Sequence, residues 1–217
     1  MRFKFLVSSV LAFGLASGAH AGLINGDFED GLNGWEAYDD VTVSNGVATV
    51  GDDSAFGLST LAQVNYTGTG LVRFEFDFLA SISDETGPYD YPDLFSSSLY
   101  FTNDTSSFDL FSGVYDDFEW VLDVDSAGPI VYSGAVSNSA IGLGWMHYSY
   151  EFVNSYNTVV AVFDMIDGNL LVDSNIQIDN VSLSAVIASV PEPSSLVLFL
   201  SLLGFAGLVR VRALSTK

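Results

Sequence analysis

The stretch Leu71-Val72-Arg73-Phe74-Glu75-Phe76-Asp77-Phe78 alternates apolar and charged residues from Val72 onward. Successive side chains of a β-strand point to opposite faces of a sheet, so this period of two predicts a strand with one buried and one solvated face. Phe74, Phe76 and Phe78 are expected in the core. The stretch therefore predicts a half-buried strand at residues 71–78.

A second stretch, residues 118–125, has the same period and predicts another strand. It puts Phe118, Trp120, Leu122 and Val124 on one face and leaves the acidic residues on the other. On this basis we expect the three tryptophans to be core residues. They are Trp35, Trp120 and Trp145.

Further apolar segments separated by turn residues predict more strands. These are residues 41–50 (interrupted by Asn45-Gly46), 97–102, 129–132, 144–153, 158–164 and 176–184. No segment with a helical period occurs between the two hydrophobic ends of the chain. Many short strands at this spacing predict an all-β fold, a single jelly-roll β-sandwich at residues 22–189.

The C-terminal end has a different character. Val190-Pro191-Glu192-Pro193 leads into an uncharged apolar run, and Arg210-Val211-Arg212 follows. The run predicts a short transmembrane helix at residues 194–209, with a basic tail on the cytoplasmic side. The alternative, a buried helix of a globular domain, is disfavoured because the run has no polar face.

These three parts resemble the PEP-CTERM sorting signal of exported bacterial proteins. The residues that carry the resemblance are Pro191, Glu192, Pro193, Arg210 and Arg212. The resemblance covers roughly residues 190–212 and implies handling by an exosortase, a membrane transpeptidase. It also implies anchorage in the inner membrane before processing. The final location would then be the cell surface or extracellular matrix of a Gram-negative bacterium.

The N-terminal end predicts export as well. Arg2 and Lys4 precede an apolar core, and Ala19-His20-Ala21 supplies the small residues of a cleavage site. This order is typical of a secretory signal peptide, here residues 1–21. We expect the mature chain to begin at Gly22.

Charge is distributed unevenly along the chain. Residues 22–189 contain 26 acidic residues against the single basic residue Arg73, a formal charge of −25. Such a surface repels nucleic acid and collects cations, although solubility alone is an equally good explanation. The chain has no cysteine, so disulfides and thiolate chemistry are excluded.

A second resemblance lies at the two ends of residues 22–189. Leu23-Ile24-Asn25-Gly26-Asp27-Phe28-Glu29 and Gln177-Ile178-Asp179-Asn180-Val181-Ser182-Leu183 resemble the first and last strands of galactose-binding-like jelly rolls, which include many carbohydrate-binding modules. The resemblance implies adjacent terminal strands and a structural calcium between them. Asp27, Glu29 and Asp179 are the carboxylates that a hard Ca²⁺ ion would take. The alternative is that Asp27 caps a turn and Asp179 faces solvent.

Sugar binding needs aromatic rings for pyranose faces and polar groups for hydroxyls. Aromatic residues in acidic, loop-like surroundings are Trp35, Tyr38, Tyr89, Tyr91 and Tyr115. The ligand-binding residues we predict are Trp35, Tyr89, Asp90 and Tyr91, although these rings are also compatible with core or plain surface positions.

Catalysis is the competing interpretation. Carboxylate pairs for a glycosidase exist at Asp116-Asp117 with Glu119, and at Glu75 with Asp77. Among 26 acids such pairs arise by chance, and Glu75 beside Arg73 is explained by an ion pair. His147 has no identifiable nucleophile or metal-ligand partner in the sequence.

We therefore predict a non-catalytic exported protein that binds glycan or extracellular polysaccharide and no nucleic acid. The alternatives are a secreted polysaccharide hydrolase or lyase, and a structural surface protein without a ligand.

Overall fold

Two six-stranded sheets form the sandwich in the computed structural model, which describes residues 22–51, 57–83, 92–105, 114–166, 168 and 173–186. All strands lie in the compact unit Met1–Ala185. In chain order they are β1 (Glu36–Tyr38), β2 (Val41–Ser44), β3 (Val47–Gly51), β4 (Leu58–Asn65), β5 (Gly70–Ser81), β6 (Leu94–Thr102), β7 (Asp117–Asp125), β8 (Gly128–Val131), β9 (Ala135–Asn138), β10 (Met146–Asn154), β11 (Thr158–Ile166) and β12 (Asn175–Ala185).

The strand order is that of a jelly roll. Sheet A has the order β1-β4-β11-β6-β7-β8, and sheet B has the order β2-β3-β12-β5-β10-β9. All paired strands are antiparallel. Four central strands in each sheet, β4-β11-β6-β7 and β3-β12-β5-β10, give the two interlocked Greek keys of this architecture. The predicted all-β sandwich is confirmed.

The predicted strands are present, and three further strands were missed. Asn45 and Gly46 have positive φ angles of 53° and 74° and turn the chain between β2 and β3, as a two-residue hairpin requires. The missed strands are β1, β4 and β9. Neither face of strand β4 is mainly exposed to solvent, because Thr60, Ala62 and Gln63 are buried along with Leu61. Without alternation, the period-two signal is absent.

The core lies between the sheets and is rich in phenylalanine. Phe74, Phe76 and Phe78 of β5 are fully buried, as their alternation predicts. The ring of Phe163 on β11 packs against Phe74 and Phe76, with centroid distances of 6.1 Å and 5.0 Å. This cross-sheet cluster provides the apolar burial on which the stability of a domain without disulfides depends.

Strand β7 contains a bulge that reverses part of its predicted pattern. Ser97 pairs with Leu122 and Ser98 pairs with Trp120, so Val121 is an extra residue on β7. Val121 and Leu122 both lie in the core. Because an inserted residue shifts the alternation by one, Trp120 faces outward. The expected core position of Trp120 is wrong, since the ring is 56% exposed.

The segment before β1 is held against the last strand. The amide of Val181 on β12 donates to the Gly26 carbonyl at 2.8 Å, and a Cβ at Gly26 would lie 1.8 Å from the Val181 carbonyl oxygen. Only glycine permits this close approach. The two ends of the domain are therefore joined by backbone contacts.

The predicted signal peptide at residues 1–21 and the predicted helix at residues 194–209 lie outside the described residues. Within the described part, no helix has the length and apolarity needed to cross a membrane.

Candidate functional site

The outer face of sheet A carries three cross-strand rows of side chains. The strand register aligns them across β4, β11, β6 and β7. The rows are Thr60–Asp164–Ser96–Asp123, then Ala62–Val162–Ser98–Trp120, then Val64–Val160–Tyr100–Phe118. The face thus combines a polar row with an apolar and aromatic surface, the composition typical of small-molecule sites.

The aromatic rings of this face form one cluster. Tyr115 packs edge-on against Tyr100 at 4.9 Å and against Phe118 at 5.7 Å. Phe118 in turn contacts Trp120 at 5.4 Å with an interplanar angle of 88°. Phe118 is 39% exposed and Trp120 more so, while Tyr100 and Tyr115 are partly buried. The cluster therefore presents its open side at Trp120.

Two carboxylates lie in the polar row. Burial raises the pKa of Asp164 to about 6, and a hydrogen bond from Thr60 Oγ1 at 2.6 Å partly opposes that shift. Asp123 Oδ2 accepts a hydrogen bond at 2.8 Å from the hydroxyl of Tyr132, whose ring is 54% exposed. Asp123 Oδ1 is buried and has no hydrogen-bond partner among the described residues.

Leaving a buried acceptor without a donor costs about 1–3 kcal/mol, so Asp123 Oδ1 is a candidate acceptor for a ligand hydroxyl. On the same face, Trp120 and Tyr132 are both more than half exposed. We call Tyr100, Phe118, Trp120, Asp123, Tyr132 and Asp164 the outer-face site.

The predicted ligand residues occupy other positions. Trp35 is 7% exposed, packs against Phe28 and Phe163, and donates from Nε1 to the Asn25 carbonyl at 3.0 Å. This is a correction to the ligand-platform prediction, because a buried indole has no open face for a sugar. Its other interpretation, a core tryptophan, matches the structure.

The other residues considered for ligand binding lie in different parts of the chain. Tyr89, Asp90 and Tyr91 lie outside the described residues. Tyr115 belongs to the aromatic cluster of the outer-face site, and Tyr38 is exposed at β1, on the opposite edge of sheet A.

The predicted calcium ligands are near one another. Burial is the main cause that raises the pKa of Asp179, and the charges of Asp77, Asp27 and Glu29 raise it further. Within the described ranges, however, no three acidic or histidine side chains are placed to hold a metal together. A structural calcium at Asp27, Glu29 and Asp179 stays a prediction.

The candidate catalytic residues of sheet B are explained by ion pairing. Arg73 Nε donates to Glu151 at 2.8 Å and lies 3.9 Å from Glu75. His147 Nδ1 lies 3.0 Å from Asp77 Oδ1, and its Nε2 lies 3.8 Å from Glu75. His147 therefore belongs to a row of polar side chains on this face, and no nucleophilic side chain of the described residues is hydrogen-bonded to it.

The remaining suspected catalytic group, Asp116-Asp117 with Glu119, is divided between two positions. Asp116 accepts a hydrogen bond from the Asn103 amide at 2.8 Å. Asp117 and Glu119 face the other side of β7 from Phe118 and Trp120 and line a cleft at the end of the sandwich.

Sequence reasoning missed Trp120, Asp123, Tyr132 and Asp164 as site residues. A usable signal existed for one of them: Asp164 interrupts the otherwise apolar run of β11. An acidic residue in such a run is buried at a cost, which makes it a candidate for function.

No family model and no curated protein matches this sequence. Among solved structures, TmCBM61 in complex with β-1,4-galactotriose is similar at 12% identity and TM-score 0.45, over 76% of this chain and 97% of that one. A CBM4 structure is similar at 11% identity and TM-score 0.43, over 75% and 98%.

The enzymatically active domain of tailspike protein 4 from bacteriophage CBA120 is also similar, at 12% identity and TM-score 0.45. The alignment covers 76% of this chain and 21% of the tailspike chain. Structural neighbours of the chain thus include carbohydrate-binding modules and a domain of an enzyme. At these identities and TM-scores the likeness carries no assignment of ligand or activity.

Proposed function

We propose that this chain is an exported, non-catalytic protein that binds a glycan of the extracellular polysaccharide at the outer-face site. Export rests on the signal-peptide pattern of residues 1–21 and on the resemblance of residues 190–212 to a PEP-CTERM signal. Exosortase and, before processing, the inner membrane are the partners that this resemblance implies. The surface or the matrix is then the place where the domain would meet polysaccharide.

The observation that carries the binding proposal is the pairing of exposed rings with an unsatisfied carboxylate. Trp120 and Tyr132 are more than half exposed, and Asp123 between their positions has a buried oxygen without a donor among the described residues. A sugar stacks its C–H face on an aromatic ring and donates hydroxyl groups to carboxylates. In this proposal the sugar ring stacks on Trp120 and one of its hydroxyl groups donates to Asp123.

The binding test uses the full chain and a panel of soluble polysaccharides. Affinity electrophoresis and calorimetry would identify the polysaccharide that is bound. We expect Trp120→Ala to weaken that binding by at least about 10-fold, since aromatic stacking of this kind contributes on the order of 1–3 kcal/mol. Tyr132→Ala is expected to weaken it less.

The matched control is Tyr66→Ala. Tyr66 is 58% exposed, close to the exposure of Tyr132, and lies after β4 outside the outer-face site. Binding should be unchanged in this variant. Equal losses in Tyr66→Ala and Trp120→Ala would contradict the site, and an absence of binding across the panel would favour a structural surface protein.

A hydrolase is the second candidate, because the polar row contains two acids with different environments. Asp164 and Asp123 are separated by β6, so their backbones are roughly 9.5 Å apart. The two carboxyl groups of inverting glycosidases are about 6.5–9.5 Å apart, and side chains on the same face two strands apart are compatible with that spacing; the acid of the pair has a raised pKa. The raised pKa of Asp164 matches the acid role.

Product release distinguishes the two functions. The bound polysaccharide would be incubated with the full chain and assayed for new reducing ends or unsaturated products. Release that is lost in Asp164→Asn would favour the hydrolase. Binding without release is the result that we expect.

A further inference from the structure

A cleft of about 360 Å³ lies at the end of the sandwich, where β6 and β7 approach β10. Small-molecule sites typically measure about 300–1,000 Å³, so this cleft suits a single ring-sized group. It faces away from the outer-face site, because the residues of β7 that line it alternate with Phe118 and Trp120. Its principal lining residues are Phe101, Asp117, Glu119, Tyr150, Phe152 and Tyr156.

Aromatic rings form the apolar wall of the cleft. Tyr150 and Phe152 on β10 are stacked with centroids 5.3 Å apart and an interplanar angle of 24°. Phe101 closes the wall, at 5.7 Å from Phe152 and 5.5 Å from Tyr156. The two rings are offset-stacked on each other, and Phe152 is only 8% exposed, so the partly buried Tyr150 provides the accessible apolar surface of this wall.

Carboxylates form the polar wall. Glu119 Oε1 accepts hydrogen bonds from Tyr150 at 2.8 Å and from Ser133 at 2.5 Å, and Asp117 Oδ2 accepts from Tyr156 at 3.4 Å. Burial and the bond to Glu119 raise the pKa of Tyr150, which keeps this donor protonated. Both bonds to Glu119 use Oε1, so its Oε2 has no hydrogen bond from the residues that the structure describes.

The described part of the chain provides no cation to this cleft. The ion pairs of the described residues involve Arg73 and His147. Both of these residues lie on the outer face of sheet B, away from the cleft. Two carboxylates beside aromatic faces attract a positive group through Coulomb and cation–π interactions. A neutral ligand would leave their charge uncompensated.

We propose that this cleft binds an amino sugar with a free, protonated amine. The sugar ring packs against the accessible side of Tyr150, and the ammonium group donates to Glu119 Oε2 and to Asp117. This site is separate from the outer-face site and does not depend on the function proposed for it.

The test compares glucosamine with N-acetylglucosamine on the full chain, by calorimetry and by chemical-shift perturbation. We expect glucosamine to bind at least about 10-fold more tightly, because hydrogen bonds from a charged donor to a carboxylate are stronger than those from a neutral donor. Glu119→Gln should reduce glucosamine affinity by a similar factor and leave N-acetylglucosamine unaffected.

The matched control is Glu36→Gln. Glu36 is an exposed residue of β1, which is separated from β7 by three strands of sheet A. This substitution removes the same charge without touching the cleft, so glucosamine affinity should be unchanged. Equal losses in both variants would mean general charge attraction and would overturn the proposal.

Two further results would also overturn it: no detectable glucosamine binding, or equal affinity for the N-acetylated sugar. If Glu119→Gln lowers the melting temperature strongly, Asp117→Asn provides the same test with fewer structural hydrogen bonds lost. Trp120→Ala should retain glucosamine binding, which separates failure of this proposal from failure of the outer-face site.

Discussion

The outer faces of the two sheets have the same geometry and opposite chemistry. Each face has three cross-strand rows over its central strands. On sheet B, β12, β5 and β10 align the rows Asp179–Asp77–His147, Ser182–Glu75–Ser149 and Ser184–Arg73–Glu151. All nine positions are polar or charged. On sheet A the corresponding rows hold valine, alanine and aromatic rings beside two acids.

This difference separates a solvated face from a face suited to binding. An outward-facing residue of a two-layer sandwich has no core to enter, so polar residues are expected there. Sheet B follows this rule, and Arg73 and His147 contact three of its four acids. Sheet A departs from it, with Ala62, Val160 and Val162 buried against Tyr100. Ala62, Val160 and Val162 thus form a second, smaller apolar cluster outside the main core.

The largest expected effect comes from placing a charge on each face. Val162 is fully buried on sheet A, so Val162→Asp would bury an unpaired carboxylate and lower the free energy of unfolding by about 3 kcal/mol or more. Ser184→Asp adds the same charge to sheet B opposite Arg73 and should change stability by about 0.5 kcal/mol or less. Urea unfolding of both variants measures the contrast. Similar losses would show that the two faces are equivalent.

An intermediate effect is expected from neutralising Asp164 on sheet A. Burial raises its pKa from 3.8 to about 6, so the folded protein binds more protons than the unfolded chain between those pH values. The charged form therefore costs stability, and this cost grows as the pH rises through that window. Asp164→Asn keeps an acceptor for Thr60 and should raise the free energy of unfolding by about 2 kcal/mol at neutral pH. The gain should vanish below about pH 4, and a gain independent of pH would contradict this cause.

The same substitution on sheet B provides the control. Asp77 accepts from Asn180 Nδ2 at 2.9 Å and lies 3.0 Å from His147 Nδ1. Asp77→Asn would place an amide donor against one of these groups, so it should destabilise by about 1 kcal/mol. If Asp164→Asn raises the free energy of unfolding and Asp77→Asn lowers it, the two faces treat a carboxylate in opposite ways.

The smallest effect is expected from the ion pair of sheet B. Arg73 bonds Glu151 at an exposed position, where water and salt screen the attraction. Arg73→Gln should change the melting temperature by little more than the error of the measurement in low salt and not at all in concentrated salt. A clear loss that persists in concentrated salt would mean that sheet B depends on its charges for stability.

Much of the fold was predictable from local pattern. The alternation of residues 71–78 correctly assigned the faces of β5, and Asn45-Gly46 correctly marked a hairpin. Strand β4 was not predictable in this way, because both of its faces are buried and its sequence shows no alternation. The site was less predictable than the fold. Loop-like surroundings made Trp35 a candidate platform and strand alternation put Trp120 in the core, yet Trp35 is buried and Trp120 is exposed.

By itself, the sequence determined the all-β class, most of the strands, the acidic charge and the export-like ends, because each depends on the spacing or composition of neighbouring residues. Only the tertiary structure decided which rings face outward. The extra residue Val121 is defined by the pairing of Ser97 and Ser98 with β7, a non-local register. Since side chains alternate with a period of two, this one residue sends Trp120 outward while Leu122 stays in the core, and it thereby creates the outer-face site.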